Sequence, residues 1–171
     1  METYQNILVV IDPSSNDQKA LKRAIDLASK INQNGTNQTA ITAFLSIFDF
    51  SYEMTTILSS DERDAMRQSV IKDKELWLKS LIDELHPAID IDCKVVWHNR
   101  PFEAIIDQVI QQGYNFVIKG THQHDKLKSV VFTPTDWHIL RKCPCPVLLV
   151  KEHNWPSNGN IIAAVNVGSD E

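Results

Sequence analysis

The sequence predicts an α/β domain, a doubly wound five-stranded parallel sheet. Three observations carry that prediction. Apolar runs of strand length alternate with segments of helical period. Several of those runs are apolar throughout, as befits strands covered on both faces. Helix boundaries fall at residues whose chemistry starts or stops a helix. Such alternation requires parallel pairing, right-handed crossovers and helices on both faces of the sheet.

The elements follow in order. Residues 7–11 read as the first strand, and Leu21, Ala24, Ile25 and Ala28 form the buried stripe of the first helix. Residues 32–39 are polar with one glycine and read as a loose connection to a strand over 40–48. Ser59 with Glu62 has capping-box spacing, opening a helix whose stripe is Met66, Val70, Trp77 and Leu81. A strand over 89–97 follows. Pro101 suits a first helical position, Phe102, Ile105, Ile106 and Val109 face inward, and Gly113 closes that helix as a left-handed cap. Residues 116–118 form the fourth strand. Thr133 as N-cap, Pro134 at N1 and Asp136 at N3 begin the last helix, which carries Trp137, Ile139 and Leu140. The run Cys143, Pro144, Cys145, Pro146 ends it and sets the entry of an edge-like strand over 147–150.

Beyond that strand, residues 154–160 (NWPSNGN) have the composition of a linker, and residues 160–171 (NIIAAVNVGSDE) echo residues 6–17 (NILVVIDPSSND). Asn6, Ile7 and Ser15 recur as Asn160, Ile161 and Ser169, at an offset of 154 residues. The expected organisation is one domain over 1–153, a linker over 154–160, and the first strand of a second, truncated repeat over 161–171.

Composition narrows the function classes. With 171 residues, 43% hydrophobic and 23% charged, the chain can bury an ordinary core. No apolar run approaches the ~18 to 20 residues that cross a bilayer. The opening residues run straight into a strand rather than a secretory signal, which predicts a cytoplasmic protein without a membrane span. Three cysteines, an odd count, predict reduced thiols. A net charge of −5 without a basic stripe argues against a nucleic-acid partner.

A doubly wound sheet places its ligand crevice at the carboxyl ends of the strands, where the winding reverses. The segments there are 12–15, 48–50, 98–100 and 119–124. None of the five glycines forms G-x-x-x-x-G-K-[ST] or G-x-G-x-x-G, which disfavours a P-loop nucleotidase and a dinucleotide dehydrogenase. Asp12 either accepts hydrogen bonds from a ligand's ribose or amine, anchors a cation, or ties down its own turn. Lys119 ends an apolar strand; it either pairs with Asp12 across the crevice or extends into solvent. The helix start at Thr133 can receive an anion, but Asp136 places negative charge there, and capping is the favoured role. His122, Gln123, His124 and Asp125 form a polar loop that explains itself without a metal. No histidine is placed within reach of Ser14, Ser15 or Cys145, so no catalytic residue is assigned and a non-enzymatic protein is expected.

The strand ending in Asp12 and the segment KGTHQHDKLKSVVFTPTDWHILRKCPCPVLLVK resemble the universal stress protein family. With WHNRPFEAII, DFSYEMTT and FTPTDWH, the chain is most similar to the first domain of the tandem E-type branch of that family. The resemblance implies an adenine nucleotide alpha hydrolase-like sheet, paired through its last strand with a second such domain or with another copy. It also implies ATP as the one cofactor to consider, held in nucleotide-binding members by an aspartate after the first strand and by G-x-x-G-x(9)-G-[ST]. Asp12 and Gly120 match. Gln123, Thr133 and Pro134 stand where the second glycine, the third glycine and the hydroxyl belong, departures that argue against ATP in the family manner. The implied function is a stress-response binding or regulatory protein with a degenerate nucleotide pocket and room for a small ligand. The alternative is an ATP-binding member with weak or no hydrolysis. Candidate binding residues are Asp12, Pro13, Ser14, Lys119, Gly120, Thr121, His122, Thr133 and Thr135.

Overall fold

The structure, a computed structural model, describes residues 4–34, 38–54, 58–85, 87–123 and 130–151. In chain order the elements are β1 Asn6–Val10, α1 Lys19–Asn34, β2 Ala40–Ile47, α2 Phe50–Glu53, α3 Ser60–Glu84, β3 Ile91–Trp97, α4 Pro101–Gln112, β4 Phe116–Gly120, β5 His122–Gln123, β6 Val130–Val131, α5 Pro134–Lys142 and β7 Val147–Val150. Five strands form one parallel sheet in the order β3-β2-β1-β4-β7. The five strands predicted over 7–11, 40–48, 89–97, 116–118 and 147–150 are present, with ends shifted by at most two residues.

Alternation along β1 explains both layers. Ile7 and Val9 join Leu21, Ala24 and Ala28 of α1 and Leu78 and Ile82 of α3 in one cluster. Leu8, pointing the other way, joins Phe44, Ile105, Val109, Val117 and Ile139 in a second. Helices α1 and α3 therefore cover one face, α4 and α5 the other. From β1 the chain moves outward to β2 and β3, then returns to place β4 on the opposite side of β1. The winding reverses between β1 and β4.

Three capping predictions hold in geometry. Ser59 and Glu62 make both bonds of a capping box, as do Thr133 and Asp136. Gly113 closes α4 at φ 70°, a left-handed conformation.

Other expectations are corrected. In α3 the buried residues are Leu78, Leu81 and Ile82, whereas Met66, Val70 and Trp77 are only half-buried. This helix of 25 residues is about 37 Å long; its fully buried residues all lie in its last turns, while Arg67 in its first half contacts Glu53 of α2. In α4 the stripe is Ala104, Ile105, Gln108 and Val109, with Phe102 and Ile106 at its margins. The one-turn α2 and the antiparallel β5 and β6 pair were not predicted. Arg67 of α3 holds α2 in place through a two-pronged contact with Glu53 at 2.6 Å, and Trp97 Nε1 donates to the same carboxylate at 3.1 Å. The linker and repeat over 154–171 lie outside the described residues.

Candidate functional site

A cavity of about 300 Å³ opens at the carboxyl ends of the strands, over the β1 and β4 junction. Parallel pairing sets Val10 beside Lys119, so the turn after β1 and the end of β4 share one wall. Asp12, Pro13, Lys119, Gly120, Thr121, Thr133 and Thr135 all line it. Ser14 does not; its hydroxyl and N–H turn back to Asp12 Oδ1 at 2.6 and 2.9 Å. The His122 backbone belongs to β5, and its side chain lies outside the described residues. Of the other strand-end segments, 48–50 and 98–100 do not reach the cavity. Phe48 packs on Trp97 and Phe50 instead.

The turn after β1 is locally built. Besides the bonds from Ser14, the buried Gln18 side chain accepts from the Asp12 N–H at 3.1 Å and donates to the Asp12 carbonyl at 2.6 Å. Gln18 also donates to the Ser15 carbonyl. Residue 18 thus fixes the loop that presents Asp12. Sequence reasoning missed Gln18, although it lies three positions before Leu21 and so on the inward stripe of α1. Ser46, also missed, shares with Phe44 the face of β2 that looks toward α4.

The partner of Lys119 is Asp136, not Asp12 as the sequence suggested. Lys119 Nζ lies 2.7 Å from Asp136 Oδ1, with side-chain exposures of 12% and 0%. Asp136 Oδ2 meanwhile accepts the Thr133 N–H at 2.7 Å and the Thr133 hydroxyl at 2.8 Å. Oδ1 has no well-aligned hydrogen bond, so the ammonium balances it by charge. One buried carboxylate therefore caps α5 and neutralises the cation at the end of β4. Pairing with Asp136 was hidden in the sequence, because it depends on α5 starting above β4. Gly120 leaves space on this wall: a Cβ there would meet nothing within 4 Å.

The remaining candidates are occupied elsewhere. His138 stacks on Phe102 at 4.1 Å, and His98 Nδ1 accepts the Arg100 N–H at 3.0 Å. Among the described residues no three His, Cys, Asp or Glu side chains converge to hold a metal ion, while His124 and Asp125 lie outside them. Cys143 and Cys145 are free thiols with Sγ atoms 3.6 Å apart, and burial pushes the Cys145 thiol up to about 12. Thiolate chemistry is suppressed there. No helix among the described residues is long and apolar enough to cross a membrane.

Comparison with known proteins agrees with this architecture. The universal stress protein family model matches residues 3–151. Universal stress protein E of Escherichia coli (strain K12) is 54% identical over 172 residues, covering 100% of this chain and 52% of that protein. This chain thus spans about half the length of such curated relatives. Among solved structures, hypothetical protein MJ0577 superposes with a TM-score of 0.67 at 18% identity, covering 89% of this chain and 99% of its own. A universal stress protein in complex with cAMP superposes at 0.53 with 16% identity, covering 89% and 100%.

Proposed function

This chain belongs to the universal stress protein family, and on that footing we propose that it is a stress-response binding or regulatory module whose crevice does not hold ATP in the family manner. The observation that carries this reading is the position of Asp136. A triphosphate needs free N–H groups, a helix N-terminus or an unmatched cation. Here the α5 N-terminus is capped by the Asp136 carboxylate, and the same carboxylate lies against the Lys119 ammonium. The protein's own carboxylate occupies the place an anion would take. No nucleophile and activating base emerge among the described crevice residues, and the proposed role is non-catalytic.

The competing reading, an ATP-binding member with little hydrolysis, draws on one observation: Asp12, Gly120, Thr121 and Thr133 still line a single cavity. Titration with a fluorescent ATP analogue separates the two. The expected outcome is no saturable signal in the micromolar range; saturable binding that Asp12→Ala weakens would favour the competitor.

For partners, β7 lies at the edge of the described sheet with Val147, Leu148 and Leu149 only half-buried. An apolar edge strand invites pairing. We place the second domain, or another copy of this chain, against it, and a strictly monomeric mass by sedimentation would count against the self-pairing form.

A further inference from the structure

The segment joining α5 to β7 carries chemistry that the crevice does not use: Cys143, Pro144, Cys145 and Pro146 follow one another there. Cys143 leaves the helix at φ −68° and ψ 128°, and side chains two positions apart on extended backbone point to one side. The two Sγ atoms accordingly meet at 3.6 Å, both half-buried against the cluster around Ile105 and Ile139. The segment is pinned at each end. The Cys143 N–H donates to the Ile139 carbonyl at 2.9 Å, and the Val117 N–H donates to the Pro146 carbonyl at 3.0 Å. Prolines at 144 and 146 fix two further φ angles. Backbone constraints thus set the two sulfurs side by side.

We propose that Cys143 and Cys145 form a two-thiolate site for a soft divalent cation of the zinc and cadmium class. With sulfur–metal bonds of about 2.3 Å, sulfurs 3.6 Å apart subtend about 100° at the ion, close to the tetrahedral angle. A linear two-coordinate ion with the same bond length needs them about 4.6 Å apart. A disulfide needs them about 1.5 Å closer than they stand, between proline φ angles that cannot adjust. On binding, two S–H bonds break, two sulfur–metal bonds form and two protons pass to solvent. Thiols that are unreactive on their own still ligate, because the cation itself drives their deprotonation. Two thiolates balance a divalent charge, so the complex is neutral and needs no further acid in its half-buried place. That suits the surroundings: Arg141 and Lys142 precede the pair, and no group of three His, Cys, Asp or Glu side chains forms among the described residues. The remaining coordination positions fall to water, which makes this a site of reversible capture rather than a closed structural centre. A bound ion ties the end of α5 to the entry of β7, away from the crevice and independently of the proposed function.

Titration of the reduced whole chain with cadmium(II), in oxygen-free buffer after removal of the reductant, tests the site. Thiolate ligation gives cadmium an ultraviolet charge-transfer band that histidine ligation lacks. The band should saturate at one ion per chain. Cys93→Ser should leave it unchanged, whereas Cys143→Ser and Cys145→Ser should each weaken binding about a hundredfold through loss of chelation. X-ray absorption at the cadmium edge of the unaltered chain should count two sulfur neighbours, a readout that does not depend on any variant folding. Absence of the band, affinity retained in both single variants, or fewer than two sulfurs around the ion would overturn the site. One ion shared between two chains would overturn the pairing of Cys143 with Cys145, as would finding those two residues already joined in a disulfide under these conditions. None of these outcomes bears on the proposed function, which rests on Asp136.

Discussion

Removing the Asp136 charge is the sharpest perturbation available. At 2.7 Å and an effective dielectric constant near 20, Lys119 and Asp136 attract with a gross energy of about 6 kcal/mol. Desolvating two ions costs several kcal/mol each, so the intact pair contributes little net stability. Breaking it is another matter. Asp136→Ala leaves the Lys119 ammonium, whose side chain is 12% exposed, without its carboxylate, and also removes the acceptor of the Thr133 N–H. The expected loss is about 3–5 kcal/mol, the usual cost of an orphaned buried charge. For a chain of 171 residues that corresponds to a fall in Tm of roughly 6–20 °C. Lys119→Met alone is destabilising for the converse reason, whereas Lys119→Met with Asp136→Asn recovers much of the loss, because neither charge remains. Urea denaturation of the unaltered chain, Lys119→Met, Asp136→Asn and the variant carrying both closes a double-mutant cycle and measures the coupling directly. A coupling energy below about 0.5 kcal/mol would refute the argument that these side chains share one buried charge balance.

Three further outcomes follow from the same coordinates. The Arg67 hydrogen bond holds the Glu53 carboxyl below its ordinary value of 4.5, so this contact stabilises the fold above that pH and the contribution is lost as pH falls through the lowered folded value. Trp97 donates to Glu53, and its fluorescence, isolated by subtraction of a Trp97→Phe variant, should change in acid below pH 4.5 and not between pH 6 and 8. Gly113→Ala places a Cβ at φ 70° and should cost about 1–2 kcal/mol, whereas Gly120→Ala, with open space at its Cβ, should leave thermal stability within about 0.5 kcal/mol. Burial raises the Cys145 thiol to about 12, so alkylation by iodoacetamide at pH 8 should be far slower in the folded chain than in urea; equal rates would contradict the burial.

Local physics settled much of this protein in advance. Strand positions followed from apolar runs, because a strand covered on both faces can carry little else. Capping at Ser59, Gly113 and Thr133 followed from groups within three residues of each helix end. Even the crevice was legible, since alternation of strands and helices dictates where the winding reverses, and Asp12 and Gly120 do line one cavity. What only the tertiary structure decided is which charges meet. Lys119 and Asp136 are 17 positions apart (136 − 119), and nothing in that spacing prefers their pairing over one with Asp12. Nor does sequence periodicity reveal that the fully buried residues of α3 are confined to its last turns, or that Glu53 is gripped by Arg67 and Trp97. Periodicity and capping depend on neighbours along the chain, whereas a buried charge finds its counterion through space.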